Sequence, residues 1–306
     1  MLISVSTHKG GAGKTTIATN LATSIAQLFS EKKVLLLDLD GQCGVSVSFG
    51  KSPNVNIDNS ILSIIKKDKQ ISEVVDNNIT NFNNEIIHNL FVIYSEPNMR
   101  GFDHVINNDY DIQENLLKVL EHLKSIFDFV IVDTPPIFSS INVCSFLKSD
   151  VVITPFEADR YNIEGALTVI KELKKDRYIN KPYIYLLPNK IKDWIKLDNE
   201  LLSYIFEKTK QETSVITSKF NIPDSNKFKL AVAKEKRPLM LSSYKFQSAL
   251  VIKALFIEIT KDILRITNKE IKYQEDKKLN NLDKVLNKNF DKWLEKINEK
   301  YRKKRV

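Results

Sequence analysis

Apolar and polar positions fall in alternating blocks along this chain. Six short runs rich in β-branched and other apolar residues recur, at Leu2 to Val5, Val34 to Leu37, Leu90 to Ile93, Phe129 to Val132, Val151 to Thr154 and Tyr183 to Leu187. Each run is nearly continuous in apolar character, which is what a parallel strand covered on both faces requires. Between them, Thr15 to Phe29, Ile112 to Ile126, Asn162 to Lys175 and Leu197 to Glu212 carry apolar residues at helical spacing, and a further helix is predicted over Phe246 to Ile266. This alternation predicts an α/β fold, a doubly wound, mostly parallel sheet with helices on both faces.

A second pattern begins near residue 268. Asn268 to Asp276 is polar and reads as a linker, after which Leu279, Leu282, Leu286, Phe290, Trp293, Ile297 and Tyr301 follow at spacings of three and four. That predicts a C-terminal amphipathic helical extension of about seven turns at 3.6 residues per turn. The organisation expected is an α/β domain over 1–267 and a basic helical tail over 268–306.

Composition sharpens this division. With 306 residues, 42% of them hydrophobic and 27% charged, the chain is neither a disordered polymer nor a fibrous repeat. Its net charge of +8 calls for an anionic partner, but residues 269–306 hold 13 Lys/Arg against 7 Asp/Glu and the rest hold 33 against 31. The two cysteines, Cys43 and Cys144, have neither a metal-ligand nor a redox-motif spacing and read as reduced thiols. The amino terminus has no signal-peptide pattern, and no apolar run approaches the roughly 18 residues that span a bilayer, so a cytoplasmic protein is expected.

The chemistry concentrates in Lys9-Gly10-Gly11-Ala12-Gly13-Lys14-Thr15-Thr16, between the first predicted strand and the first predicted helix. Glycines there let successive backbone N–H groups face one anion, and the helix amino terminus adds partial positive charge. Lys14 is the candidate to neutralise β and γ phosphates, and the Thr15 hydroxyl is a candidate Mg2+ ligand. The run reads as a phosphate loop, and the fold class expected of the domain is that of a P-loop NTPase. His8 stands where the strict pattern wants glycine. Two further strands end in carboxylates: the run from Val34 delivers Asp38 and Asp40, and Phe129 to Val132 delivers Asp133, a candidate metal holder.

These motifs resemble those of the ParA/MinD superfamily, whose deviant phosphate loop carries a signature lysine where this chain has Lys9. A polar residue before that lysine, here His8, is similar to the ParA branch. Asp38 to Gln42 resembles that family's segment, with Gly41 where proline is common. Similarity continues through Ser140 to Asn142, Ser149 to Gly165, and the loop with Asn189 and Lys190. The resemblance implies that Lys9 reaches across a dimer to the partner's nucleotide, that Asp40 orients the attacking water and belongs with Thr15 and Asp133 at the metal, that Asp38 supports it near the metal shell, and that Asn189 and Pro223 flank adenine. It further implies ATP and Mg2+ as cofactors, an ATP-dependent homodimer, non-specific DNA binding and a ParB-like centromere-binding partner that stimulates hydrolysis. The expected role is plasmid or chromosome segregation, on the nucleoid.

Lys219, Lys227, Lys229, Lys234, Lys236 and Arg237, against only Asp224 and Glu235, are the candidate DNA contacts. The chain begins a few residues before its first strand, so the amino-terminal helix-turn-helix of longer relatives is not expected. The alternative function is a MinD-like membrane-associated positioning ATPase, with the tail as an interfacial helix. The tail also suits protein contact, or a DNA arm at Lys300 to Arg305. Iron–sulfur relatives and tyrosine autokinases fit poorly, because the cysteine arrangement and clustered terminal tyrosines are missing.

Overall fold

The computed structural model describes residues 1–56, 59–136, 138–178, 180–192 and 195–267, with residues 55 and 56 by backbone alone. The predicted tail helix lies outside the described residues. Seven strands, β1 Leu2–Val5, β2 Val34–Asp38, β3 Leu90–Ile93, β4 Phe129–Asp133, β5 Val151–Phe156, β6 Tyr183–Pro188 and β7 Val215–Thr217, form one sheet in the order β3-β2-β4-β1-β5-β6-β7. Every pairing is parallel.

The helices in chain order are α1 Lys14–Leu28, α2 Gly44–Ser48, α3 Ile61–Ile65, α4 Ile71–Val74, α5 Met99–Asn108, α6 Tyr110–Ile126, α7 Ser140–Lys148, α8 Arg160–Leu173, α9 Lys196–Thr209, α10 Lys227–Leu230 and α11 Gln247–Ile266. A π-helical turn over Ala231–Glu235 continues α10.

Alternation along each strand sorts the core into two layers. Ile3, Val5, Leu36, Ile131 and Ile153 join α1 and α11 on one face. On the other, Leu35, Leu37, Val130 and Val132 pack with α3, α5 and α6, while Val152, Ile184 and Leu186 pack with α8 and α9. Because both faces are covered, the strands read as continuous apolar runs. Packed on the sheet and against α11, α1 buries Thr19 and Thr23, which donate back to the carbonyls of Thr15 and Thr19 at 2.8 and 2.9 Å.

Six strands occupy the predicted places, and several run one or two residues further. Helix α6 starts at Tyr110, before the predicted Ile112, because the Asp109 side chain accepts from the N–H groups of Asp111 and Ile112 and caps it. The seventh strand escaped prediction because it is three residues long and only half-buried. Chain order sets the position of the site. From β1 the chain lays down β2 and β3 on one side, returns to β4, and crosses β1 to reach β5. The reversal opens a crevice at the carboxyl ends of β1 and β4, where ligands bind in open α/β sheets.

Candidate active site

The phosphate loop fills that crevice. Gly11 and Gly13 take left-handed conformations at φ 82° and 88°, and Gly13 opens α1 with no side-chain cap. A Cβ on Gly13 would lie 2.4 Å from Asn189 Nδ2, which donates to Ala12 O at 2.8 Å. Lys14 is 7% exposed and donates from Nζ to Lys9 O at 3.2 Å. Burial lowers its pKa, opposed by Asp133 and Asp40, so its ammonium sits in a partly dry site with donors to spare. Lys9 and Gly10 are exposed, and the Lys9 ammonium rests 5.3 Å from the Tyr161 ring centre. Thr16 is half-buried in the first turn, and its carbonyl accepts from Asn20.

Sheet register assembles the carboxylates. Asp38 and Asp133 are direct partners across β2 and β4, and Val5 is the partner of Asp133 across β1. Thr15 Oγ1 donates to Asp133 Oδ2 at 2.6 Å, while the buried Oδ1 of Asp133 has no hydrogen-bond partner among the described residues. Burial raises the Asp133 pKa; the Thr15 bond and Lys14 oppose the rise, and Asp40 adds to it. Asp38 is fully buried, accepts from Asp40 N at 2.9 Å and Val45 N at 3.3 Å, and is pushed up by burial and by Asp133. Asp40 accepts from Gln42 N at 2.9 Å; burial raises its pKa, and the Gln42 bond, Lys14 and Arg100 pull it back.

Asp133 and Asp40 face the buried Lys14, and Asp38 crowds Asp133 from the next strand; burial and this crowding disfavour the charged carboxylates, and a further cation would favour them. An orphaned carboxylate oxygen beside a threonine hydroxyl is a donor set suited to a hard cation, so the residues fit Mg2+. Among the described residues no group of three or more His, Cys, Asp or Glu is arranged to hold a metal unaided. Phosphate and water oxygens would complete such a shell.

The first turn of α5 closes one side of this site, and the sequence reading missed it. Arg100 donates from Nε to Gly41 O at 2.9 Å and from Nη2 to Gln42 Oε1 at 2.6 Å. One turn on, Asp103 has a buried Oδ1 with no partner among the described residues, and burial raises its pKa. The available signal was Pro97 ahead of Met99, Phe102 and Ile106 at spacings of three and four. Lys190, also missed as a site residue, donates from Nζ to Gly11 O and to Glu157, both at 2.6 Å, and so ties the phosphate loop to β5 and β6. Pro223 comes beside this loop through its bridge to Ile191 and the 2.9 Å bond from Ile222 N to Pro188 O. Asn189 and Pro223 are therefore brought together.

The six basic candidates are not equivalent. Lys227, Lys229 and Lys234 follow one another along α10 and its π-helical continuation, and Lys236 caps its end. Lys227 lies 5.2 Å from the Phe246 ring centre, and Lys229, Lys234 and Lys236 are exposed. Arg237 is half-buried and spends its guanidinium on the carbonyls of Glu235 and Asn81. Lys219 stands in the loop after β7, 3.9 Å from Asp262 of α11. A cavity of about 550 Å3, with Lys51, Lys229 and Lys236 in its wall, separates this segment from α2 and the first turns of α1.

A phosphate loop between the first strand and helix, a Thr–Asp pair able to take a metal, and a carboxylate one strand over define a P-loop nucleoside triphosphatase. A family model described as an AAA domain matches residues 1–185. A ParA family protein of Mycoplasma genitalium is 31% identical over 277 residues, covering 88% of this chain and 98% of the relative. The sporulation initiation inhibitor protein Soj of Bacillus subtilis is 24% identical over 214 residues, 68% of this chain and 81% of Soj. A plasmid partition protein of Borrelia burgdorferi, solved with AMPPNP, shares the fold at TM-score 0.65 and 22% identity, over 88% of this chain and 99% of that one. The chain belongs to the ParA family of partitioning ATPases.

Proposed function

We propose that this protein hydrolyses ATP to drive the segregation of a plasmid or chromosome. The observation that carries this reading is the meeting of Lys14, the Thr15–Asp133 pair and Asp40 at the carboxyl edge of the sheet. Residues Gly10 to Thr16 cradle the phosphates, and Lys14 neutralises their inner charge. Thr15, Asp133 and Asp40 are the residues that would hold Mg2+, whose charge offsets that of the phosphate oxygens. Asp40 accepts a hydrogen bond from the attacking water and aligns it, and Asn189 and Pro223 flank the base. Lys9, exposed on its tyrosine, extends to the nucleotide of a second copy, giving an ATP-dependent homodimer with slow basal turnover.

Pairing two copies doubles the charge of the exposed lysines on residues 227–236. Non-specific DNA binding through counterion release follows from that charge, and places the dimer on the nucleoid in the cytoplasm. A ParB-like protein bound at a centromere site stimulates hydrolysis and release. Kinship with proteins named for chromosome partition in Myxococcus xanthus and Treponema pallidum supports this reading.

Mg2+-dependent ATP hydrolysis by the full chain, with and without DNA, tests it. Unchanged turnover in Lys14→Ala or Asp40→Ala refutes the site assignment. DNA binding that persists without nucleotide, or that ignores salt, refutes the switch. Liposome sedimentation with and without residues 268–306 separates this function from membrane positioning, which predicts lipid binding that truncation abolishes.

A further inference from the structure

We propose that Arg100 is a positioning residue for hydrolysis, a strut from α5 that fixes the turn carrying Asp40. The proposal rests on the role given above to Asp40.

The turn over residues 38–43 is held from inside by its own bonds. Asp40 N donates to Asp38, Gln42 N donates to the Asp40 carboxylate, and Cys43 N donates to Asp40 O at 2.8 Å. These bonds shape the turn without anchoring its outer half, residues 41 and 42, to the body of the domain. Arg100 supplies an anchor: its planar guanidinium binds Gly41 O and Gln42 Oε1 together, and two bonds from one rigid plane set orientation as well as distance.

The backbone contact is just as close. A Cβ on Gly41 would lie 2.6 Å from both Arg100 N and Arg100 Cγ, so the approach of α5 requires glycine there. Gly41 stands where the resembling segment commonly has proline, and the first turn of α5 occupies the space a proline ring would need. Arg100 and Gly41 thus form one device, in which the helix comes near enough to bond the turn only because the turn has no side chain. Asp40 lies between this anchor and Asp38, and a water-aligning carboxylate loses effect steeply with misplacement.

Two measurements test the strut. In steady-state hydrolysis Arg100→Ala should lower kcat about ten- to a hundredfold while KM for ATP stays within about twofold, because the phosphate loop is untouched. Gly41→Ala should reproduce the kcat loss by pushing the turn off α5, and the double variant should be no worse than the poorer single one. In the nucleotide-free protein, amide hydrogen exchange at residues 40–45 should quicken about tenfold or more in Arg100→Ala, with exchange in β2 and β4 unchanged. Unchanged exchange at 40–45 overturns the proposal whatever the turnover. So does an unchanged kcat, or a fall in kcat matched by a rise in KM and a loss of global stability. Should the parent protein fail to hydrolyse ATP, the function proposed above fails, and hydrogen exchange alone decides whether Arg100 holds the turn.

Discussion

The phosphate loop and the lysine-bearing segment after β7 both gather positive charge, under opposite conditions. Lys14 is nearly buried, faces carboxylates and is pinned by a backbone carbonyl. Lys229, Lys234 and Lys236 stand exposed on about two turns of helix, with no carboxylate bonded to them among the described residues. Burial concentrates function in single atoms at the first place, whereas exposure spreads it over interchangeable charges at the second.

The largest expected effect tests the buried side. Lys14→Met should cut ATP turnover about a hundred- to a thousandfold, read as phosphate release. The melting temperature without nucleotide should nevertheless hold or rise, because burial already disfavours the Lys14 charge. A large loss of stability would mean that Lys14 braces the loop instead of serving a ligand.

Lys253 breaks the contrast from the other side. It belongs to the carboxyl-terminal region yet is 9% exposed, donates to Ser242 O at 2.7 Å, and is lowered by burial to about 8. Below pH 8 both folded and unfolded chains carry this proton, and the burial penalty is present in full. Between pH 8 and the ordinary lysine value of 10.5 only the unfolded chain keeps it, so stability rises with pH. The gain should approach about 3 kcal/mol relative to Lys253→Met, measured by denaturant unfolding across that range.

Gly13→Ala sharpens the account of the loop. Its left-handed backbone and the Asn189 amide 2.4 Å from the new Cβ should together cost about 2 kcal/mol, read from urea midpoints, and weaken nucleotide binding. The smallest effects belong to the exposed lysines. Lys229→Gln, Lys234→Gln and Lys236→Gln should each reduce the salt slope of DNA binding by about one unit per subunit, about two for the dimer, and do so additively. Lys219→Gln should change it least, since Lys219 already faces Asp262.

Legibility in the sequence followed this difference. Strand, glycines, lysine and threonine lie within about a dozen consecutive residues of the phosphate loop, and a local pattern of that kind survives without knowledge of the fold. Asp133 was legible for a similar reason, as a lone carboxylate ending an apolar strand. Arg100 was hidden, because nothing in Asn98 to Phe102 refers to a turn near residue 41. Lys190 was equally hidden, since its contact with Gly11 joins loops that meet only across the sheet. The basic candidates looked uniform as a count, and only contacts with Asp262 and Asn81 distinguished Lys219 and Arg237 from the rest.

The sequence by itself determined the alternation of strand and helix, the phosphate loop at their first junction, and the carboxylates that end β2 and β4. These features follow from dihedral periodicity, burial and side-chain chemistry over short stretches of chain. Tertiary structure alone decided that Asp38 and Asp133 lie side by side, that Arg100 grips the turn at Gly41, and that Asn189 closes over Gly13. Those adjacencies depend on strand order and register, which are settled by the packing of the whole core and by no single segment of it.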